Sequence, residues 1–324
     1  MTKQNGTRNK VILLTSLIGI IALLHYATPT EPHYYHKIHI VLRKLYFLPP
    51  VIAAAWFGLR GAIITTSVVS ILFSLHALLD WPGNYMEQAN QLGELAGFWV
   101  IGLVPGWLFD RQRSLLLDLA HANEETLLGL VAALDLREHN TRLHSQRVRE
   151  YTELIADRLG VDEKMRREIG FGALLHDVGK IAVPDQILLK PGKLTDQEWD
   201  EMRKHPEAGY RIVKRIGFLK DAAEIVYTHH EQFDGSGYPR GIKNESIPLG
   251  ARMFMVADVY DALTSERPYR SPMTYEEAIA EIRKMSGSHF DPVVVDTFLA
   301  IEPKQLQMIA KRYTDLISPD SLTA

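Results

Sequence analysis

The 324-residue chain has no cysteine, which excludes a disulfide scaffold and a thiolate metal site. Its formal net charge of −3 excludes a strongly basic surface built for a DNA or RNA polymer. The charge is unevenly spread: residues 1–110 hold 12 of the 75 Asp, Glu, Lys and Arg side chains, and the remaining 214 residues hold 63. Two differently solvated parts follow.

The first part contains four stretches almost free of charge, at about 11–27, 45–59, 61–79 and 91–109. A helix needs roughly 20 residues to cross ~30 Å of hydrocarbon. The first and third suffice. The second reaches that length when its helix starts upstream, within 39–44, and the fourth when it admits Gln91 and Glu94. We read four membrane spans in residues 1–110. The length of the first stretch and the sequence Ala27-Thr28-Pro29 argue against signal-peptide cleavage. With the N-terminus inside, Lys3, Arg8, Lys10, Arg60, Arg111 and Arg113 lie on the inner side, against Lys37, Arg43 and Lys44 outside. That asymmetry puts both ends of the module in the cytoplasm. His76 and Glu94 fall towards the outer ends of their spans; ionisable groups at membrane depth invite a ligand- or proton-sensing role, and contact with interfacial water is the plainer account. Pro105 is expected to kink the last span.

Charge returns at Asp110, and Leu115, Leu116, Leu119, Leu127, Leu130, Val131 and Leu134 recur at helical spacing. Residues 111–124 read as a helical linker. The leucine stripe fits a homodimer formed through that helix and fits equally well packing on the chain's own second domain.

Residues 125–324 read as a domain of amphipathic helices, at 145–159, 163–175, 196–205, 208–216, 221–230, 251–263 and 274–285, with Thr195 and Thr274 as helix caps. No alternating run is long enough for a sheet core, so the fold class is all-α: a four-helix transmembrane module followed by a helical bundle.

The histidines of this domain are not scattered. His176-Asp177 ends a largely apolar stretch, His229-His230 ends another, His144 and His205 lie near helix ends, and Asp258 interrupts the run Met253 to Ala257. Burying such groups is costly unless something pairs with them. Five imidazoles and two carboxylates suit Fe, Mn, Zn or Ni. Seven ligands exceed one four-coordinate ion and fit two ions sharing a carboxylate, with Asp177 as the natural bridge. Paired metals are a known solution for phosphoester hydrolysis. Lys180, three residues after Asp177, would face a substrate phosphate from the same helical face if the helix continues that far.

His176-Asp177-Val178-Gly179-Lys180 resembles the H-D-x-G-K signature of HD-domain phosphohydrolases, and Gly237-Tyr238-Pro239 looks like the motif that names the HD-GYP subgroup. The similarity covers about 125–285, through Leu143-His144-Ser145, His205-Pro206-Glu207-Ala208-Gly209, the His229-His230 pair, 258–264 and Arg267-Pro268-Tyr269-Arg270. The resemblance implies a helical, metal-dependent phosphodiesterase that opens cyclic di-GMP to linear pGpG and, in some members, continues to GMP. It implies that His144, His176, Asp177 and Asp258 hold one divalent ion and that Asp177, His205, His229 and His230 hold the other, with Fe or Mn favoured over Zn or Ni. Lys180, Arg267 and Arg270 match positions that meet substrate phosphates, and Tyr238 matches a tyrosine on the guanine side of the pocket. Lys180 and Asp177 carry the catalytic assignment.

One departure stands out. Members that bind a third ion have a glutamate four residues before the first histidine, where this chain has Asn140, and Glu138 would point elsewhere on a continuous helix. A two-ion site is expected. The first part is similar in plan to membrane sensor modules of bacterial signalling enzymes, through 42–49 and 56–61. This implies a multi-pass protein of the bacterial cytoplasmic membrane with its catalytic domain inside, and it admits a diguanylate cyclase as partner. Hydrolysis of another cyclic dinucleotide is a second reading, and a receptor that binds the nucleotide without turnover is a third; such a receptor would be expected to lose ligands.

Overall fold

The computed structural model describes residues 2–29, 33–80, 85–138, 143–266 and 271–317. The chain divides into two units, Met1–Glu124 and Glu125–Ala324. Among the described residues the regular elements are helices, with one isolated bridge between Ser286 and Phe290, so the fold is all-α as expected.

The first unit is built from α1 (Thr2–Ala27), α2 (His33–Leu45), α3 (Leu48–Asp80) and the first part of α4 (Tyr85–Glu138). Three helical stretches are long and apolar enough to cross a membrane: Asn5–Ala27, Lys37–Leu78 and Asn90–Arg137. The middle one contains two of the apolar runs, but it is not a straight rod. Gly58 has φ 67° and ψ −155°. The rings of Tyr46 and Phe73 lie 6.1 Å apart between centroids, where an unbroken helix would separate them by about 40 Å. The chain therefore reverses at Gly58. Glycine is required there by conformation and by space, because a Cβ would lie 1.9 Å from Oδ1 of Asp110. The other oxygen of Asp110 accepts the backbone N–H of Leu59 at 2.8 Å and so caps the returning leg.

Ile21, Tyr46, Val69, Phe73 and Phe98 form one core of this unit, while apolar side chains such as Leu23, Ile64, Leu78 and Val100 stay exposed on the outward faces. That inversion of the usual pattern suits lipid contact better than water. Glu94 is ion-paired with Arg43 at 3.2 Å and Lys44 at 2.8 Å. This accounts for its place in an apolar helix, where one carboxylate is shared by two cations. Helix α4 continues through Pro105 and through 111–124.

The second unit takes the end of α4 and adds α5 (His144–Arg158), α6 (Glu163–Leu175), α7 (Asp185–Leu188), α8 (Asp196–Met202), α9 (His205–Val213), α10 (Lys220–Thr228), α11 (Leu249–Thr264), α12 (Tyr275–Lys284), α13 (Pro292–Leu299) and α14 (Pro303–Ile317). Asp162 caps α6 by accepting from the N–H groups of Lys164 and Met165. Thr195 with Glu198 and Thr274 with Glu277 form capping boxes at α8 and α12, each satisfying donors that a helix start otherwise leaves unpaired. Helix α11 is buried on most sides, with Met253, Phe254, Met255, Val256, Ala257 and Tyr260 in a core shared with Val148, Tyr151 and Ile155 of α5 and Phe298 of α13. Each large side chain there stabilises the fold by about 1.5–3 kcal/mol relative to exposure. An element buried so completely is the stiffest place on which to mount a polar side chain.

The leucine stripe divides. Leu127 and Val131 pack with Phe171, Leu174 and Leu175, whereas Leu115, Leu116 and Leu119 are at least half exposed. Two features differ from the sequence reading. Helices α13 and α14 lie beyond the last helix it recognised. The helix carrying His176 also stops at Leu175, and Val178–Ala182 is a 3-10 turn, so Lys180 does not share an α-helical face with Asp177.

Candidate metal centre

All seven candidate ligands come together, and six of them sit at helix ends. His144 opens α5, His176 and Asp177 follow the end of α6, His205 opens α9, and His229 and His230 follow the end of α10. Asp258 is the exception, in the interior of α11. Close approach of two of these segments depends on Gly179, because a Cβ there would lie 1.9 Å from the carbonyl oxygen of His205 and 2.4 Å from the amide of Gly209. That contact explains in space the glycine of the His176–Lys180 motif.

The side chains form two groups, His144 with His176 and Asp258, and Asp177 with His205, His229 and His230, each with ligand atoms within 4.8 Å of one another. Asp177 stands between them. Its Oδ1 lies 3.4 Å from Nε2 of His205 and 3.8 Å from Nε2 of His229, and its Oδ2 lies 3.0 Å from Nε2 of His176. Lys180 donates to the same Oδ2 at 2.7 Å despite the 3-10 geometry. Nε2 of His144 is 3.2 Å from Oδ1 of Asp258.

The rings are held by their other nitrogens. Nδ1 donates to the carbonyl of Ala173 in His176, of Met202 in His205 and of Val226 in His229, at 2.7–2.8 Å. A carbonyl only accepts, so each Nδ1 carries a hydrogen and each Nε2 turns inward. His144 is oriented differently, by Oδ2 of Asp261 at 2.7 Å from Nδ1, and Asp261 is itself fixed by Arg147 at 2.7 Å.

Burial works against charge on every member of the site. It prevails at His230, whose pKa falls to about 3 with help from His205, and at His205 and His229, which are also lowered. At His144 burial is outweighed by hydrogen bonds to Asp258 and Asp261, and the pKa rises to about 10. At His176 burial is outweighed by Asp177, again raising the pKa. Asp177 is buried too, but His176 and Lys180 hold it well below the usual carboxylate range.

This donor set fits divalent transition ions. Nε2 of His205 and Nε2 of His229 face each other at 3.2 Å. With both Nδ1 atoms protonated and both rings biased towards the neutral form, two lone pairs point at one another, an arrangement a cation between or beside them would relieve. Five nitrogens and the carboxylates Asp177 and Asp258 match the preferences of Fe, Mn, Zn or Ni.

Around the ligands, Tyr238 stacks on His230 with 4.7 Å between ring centroids, and the guanidinium of Arg203 lies 5.7 Å from the Tyr238 ring. Asn140, Arg267 and Arg270 lie outside the described residues. Two residues escaped the sequence reading. Asp261, 1% exposed, positions His144, and its spacing of three from Asp258 on one helix was the available signal. Asp135 in α4 is the second: burial raises its pKa, against the opposing charges of His144 and His176. Nothing in its local sequence marks it.

Residues 130–294 match a family profile described as "HD domain". The chain is 44% identical over 183 residues to a cyclic di-GMP phosphodiesterase of Thermotoga maritima, covering 56% of this chain and 50% of the relative. It is 44% identical over 200 residues to the cyclic di-GMP phosphodiesterase response regulator RpfG of Xanthomonas campestris pv. campestris, covering 58% and 53%. It is 42% identical over 188 residues to 3'3'-cGAMP-specific phosphodiesterase 2 of Vibrio cholerae, covering 57% and 36%. The chain thus spans about half or less of the length of these curated relatives.

Proposed function

The chain belongs to the HD domain family, and from that premise we propose that it is a membrane-anchored, metal-dependent phosphodiesterase that hydrolyses cyclic di-GMP to linear pGpG. The observation that carries this reading is the division of seven inward-facing side chains into two groups that share Asp177. His144, His176, Asp177 and Asp258 would hold one divalent ion, and Asp177, His205, His229 and His230 the second, with Fe or Mn favoured. Such a pair supplies activation of water and stabilisation of charge on phosphoryl oxygens.

The chain's own residues do the rest. Asp261 and the backbone carbonyls fix the imidazole orientations, so little rearrangement accompanies ion or substrate binding. Lys180 offers a mobile positive charge beside Asp177 for a non-bridging phosphate oxygen. Arg267 and Arg270 are assigned to the phosphates, and Tyr238, at the rim beside His230, to the guanine side, where an aromatic face stacks on a purine.

The membrane part of the proposal is a four-span module with both ends in the cytoplasm. It is supported by three long apolar stretches, the reversal at Gly58 and the Lys/Arg asymmetry. The exposed Leu115, Leu116 and Leu119 support a homodimer through α4. A diguanylate cyclase making the substrate is the partner this role calls for.

Hydrolysis of 3'3'-cGAMP is the second reading, favoured by the 42% identity to a relative named for that substrate. Anaerobically purified full chain in lipid nanodiscs, given cyclic di-GMP and 3'3'-cGAMP in parallel, tests both. Preferential release of pGpG from cyclic di-GMP is expected. Preference for 3'3'-cGAMP selects the second reading, and tight binding of either nucleotide without turnover selects a receptor.

A further inference from the structure

The described residues contain a third cluster of imidazoles, inside the Met1–Glu124 unit. His25 of α1, His39 of α2 and His76 of α3 are 1%, 1% and 3% exposed. Nε2 of His25 lies 3.1 Å from Nε2 of His39. The His25 ring stacks on His76 with 3.9 Å between centroids, and His39 and His76 are 4.9 Å apart. One ring nitrogen from each residue lies within 4.8 Å of the other two. Arg43, Phe73 and Gln91 line the same small pocket.

We propose that His25, His39 and His76 form a binding site for one late first-row divalent transition-metal ion, of the Zn2+ or Cu2+ class, separate from the ions of the HD domain. Three helices each spend a buried position on an imidazole, where leucine or phenylalanine would give the same packing without polar nitrogens. Nδ1 of His25 is buried without a hydrogen-bond partner, and hydrocarbon offers no water to replace one. The set is all nitrogen with no carboxylate, a donor chemistry that favours Zn, Cu or Ni over Mg, Ca or Mn.

Geometry agrees with charge. A tetrahedral ion with bonds of about 2.0–2.1 Å spaces its ligands by about 3.4 Å, close to the His25–His39 separation. Ring nitrogens within 4.8 Å of one another need to move by at most about 1.4 Å to reach that spacing. Three protein ligands leave one position open, with Gln91 adjacent. Arg43 would repel a cation, and Glu94, which it shares with Lys44, reduces that repulsion in part. Among the described residues, the other two clusters with ligand atoms this close together are those of the HD domain.

The test uses metal-stripped full chain in lipid nanodiscs, dialysed against Zn2+ and analysed for bound metal. His39→Gln and His76→Gln should each bind one equivalent less than the unmodified chain. The loss should add to whatever Asp177→Ala removes, which separates this site from the HD-domain ions and from any outcome on nucleotide hydrolysis. Equal stoichiometry in the unmodified chain and both folded variants overturns the proposal. Should the variants misfold, the unmodified chain treated with Cu2+ and ascorbate gives an independent answer by peptide mass spectrometry. Oxidised histidine at positions 25, 39 and 76 supports the site, and oxidation confined to the HD-domain histidines overturns it.

Discussion

The ammonium of Lys180 lies 2.7 Å from Oδ2 of Asp177, the oxygen that also faces His176. A single carboxylate oxygen is therefore shared between a lysine ammonium and a candidate ligand. On the proposed reading, ions held by Asp177 would neutralise its charge and leave Lys180 free to meet a substrate phosphate. Lys180→Ala should keep its metal at neutral pH and lose turnover on the order of 10²-fold, the scale of removing one donor aimed at a transition state. Lys180 also lowers the pKa of Asp177, so the variant should load metal less well than the parent as pH falls. Unchanged kinetics would remove Lys180 from the phosphate site.

Because the two oxygens of Asp177 face different histidines, Asp177→Ala should abolish both ions of the HD domain, while His205→Ala should remove chiefly one. Elemental analysis of the two variants beside the parent reads the difference. A preparation of Asp177→Ala with undiminished metal content would refute the bridge.

The two groups should load differently with pH. His205, His229 and His230 have lowered pKa values, His229 well below the ordinary imidazole value and His230 to about 3, so this group is biased towards neutral donors. His144, near 10, and His176, also raised, must lose protons before they bind. One ion should bind almost independently of pH between 6 and 8, and the other should gain affinity as pH rises, about tenfold per unit for each proton displaced. Calorimetry in buffers of different ionisation enthalpy should find protons released with one ion and not with its neighbour. Equal release with both would contradict the assignment.

Asp261 holds both His144 and Arg147. Asp261→Ala takes the carboxylate partner away from the buried guanidinium of Arg147 and should destabilise the domain by about 3–5 kcal/mol. Asp261→Asn keeps the shape and one acceptor and should be milder. In the asparagine variant, metal affinity at the His144 group should fall by roughly 10–100-fold, the usual cost of losing an orienting partner. The stability term has a definite sign with pH. The folded-state pKa of Asp261 is depressed by His144 and Arg147, which outweigh burial, so its contribution is present above the unfolded carboxylate pKa and is lost as pH falls through the lower folded value. Retained metal affinity in Asp261→Asn would reduce Asp261 to a packing residue.

How far the sequence discloses this protein depends on whether the signal is local. The candidate ligands were legible as a group because His176-Asp177 and His229-His230 place polar groups where apolar periodicity should continue. Thr195 and Thr274 were legible because a cap and its glutamate lie three residues apart. Asp135 was not, since the groups it faces are distant in the chain, and Asp261 showed only its spacing from Asp258, its partners His144 and Arg147 being more than 110 residues away. The same holds for the reversal at Gly58, where Asp110, the group that caps it, lies 52 residues later. His25, His39 and His76 were invisible as a set for this reason: each sits in a separate helix, and only the packing of three helices brings them into contact.

The product of the reaction is the remaining question with a sequence handle. The glutamate that the HD-GYP resemblance associates with a third ion is replaced by Asn140, so a site of two ions should open the cyclic ring readily and process linear pGpG slowly. On the proposed reading, the terminal phosphate of pGpG would add negative charge that two ions, Lys180 and the arginines alone would have to offset. Linear dinucleotide should accumulate early in a time course and GMP should appear late. Asn140→Glu should add one ion to the HD domain and hasten the second step. Asp135 offers a competing route, because it already feels the charges of His144, His176, Asp177 and Lys180 and could itself supply the extra carboxylate. The two accounts separate cleanly: if Asp135 does so, the parent releases GMP without a detectable intermediate and Asp135→Asn restores accumulation. Prompt GMP release that survives Asp135→Asn would show that two ions and the nearby cations suffice, and the inference from Asn140 would fall.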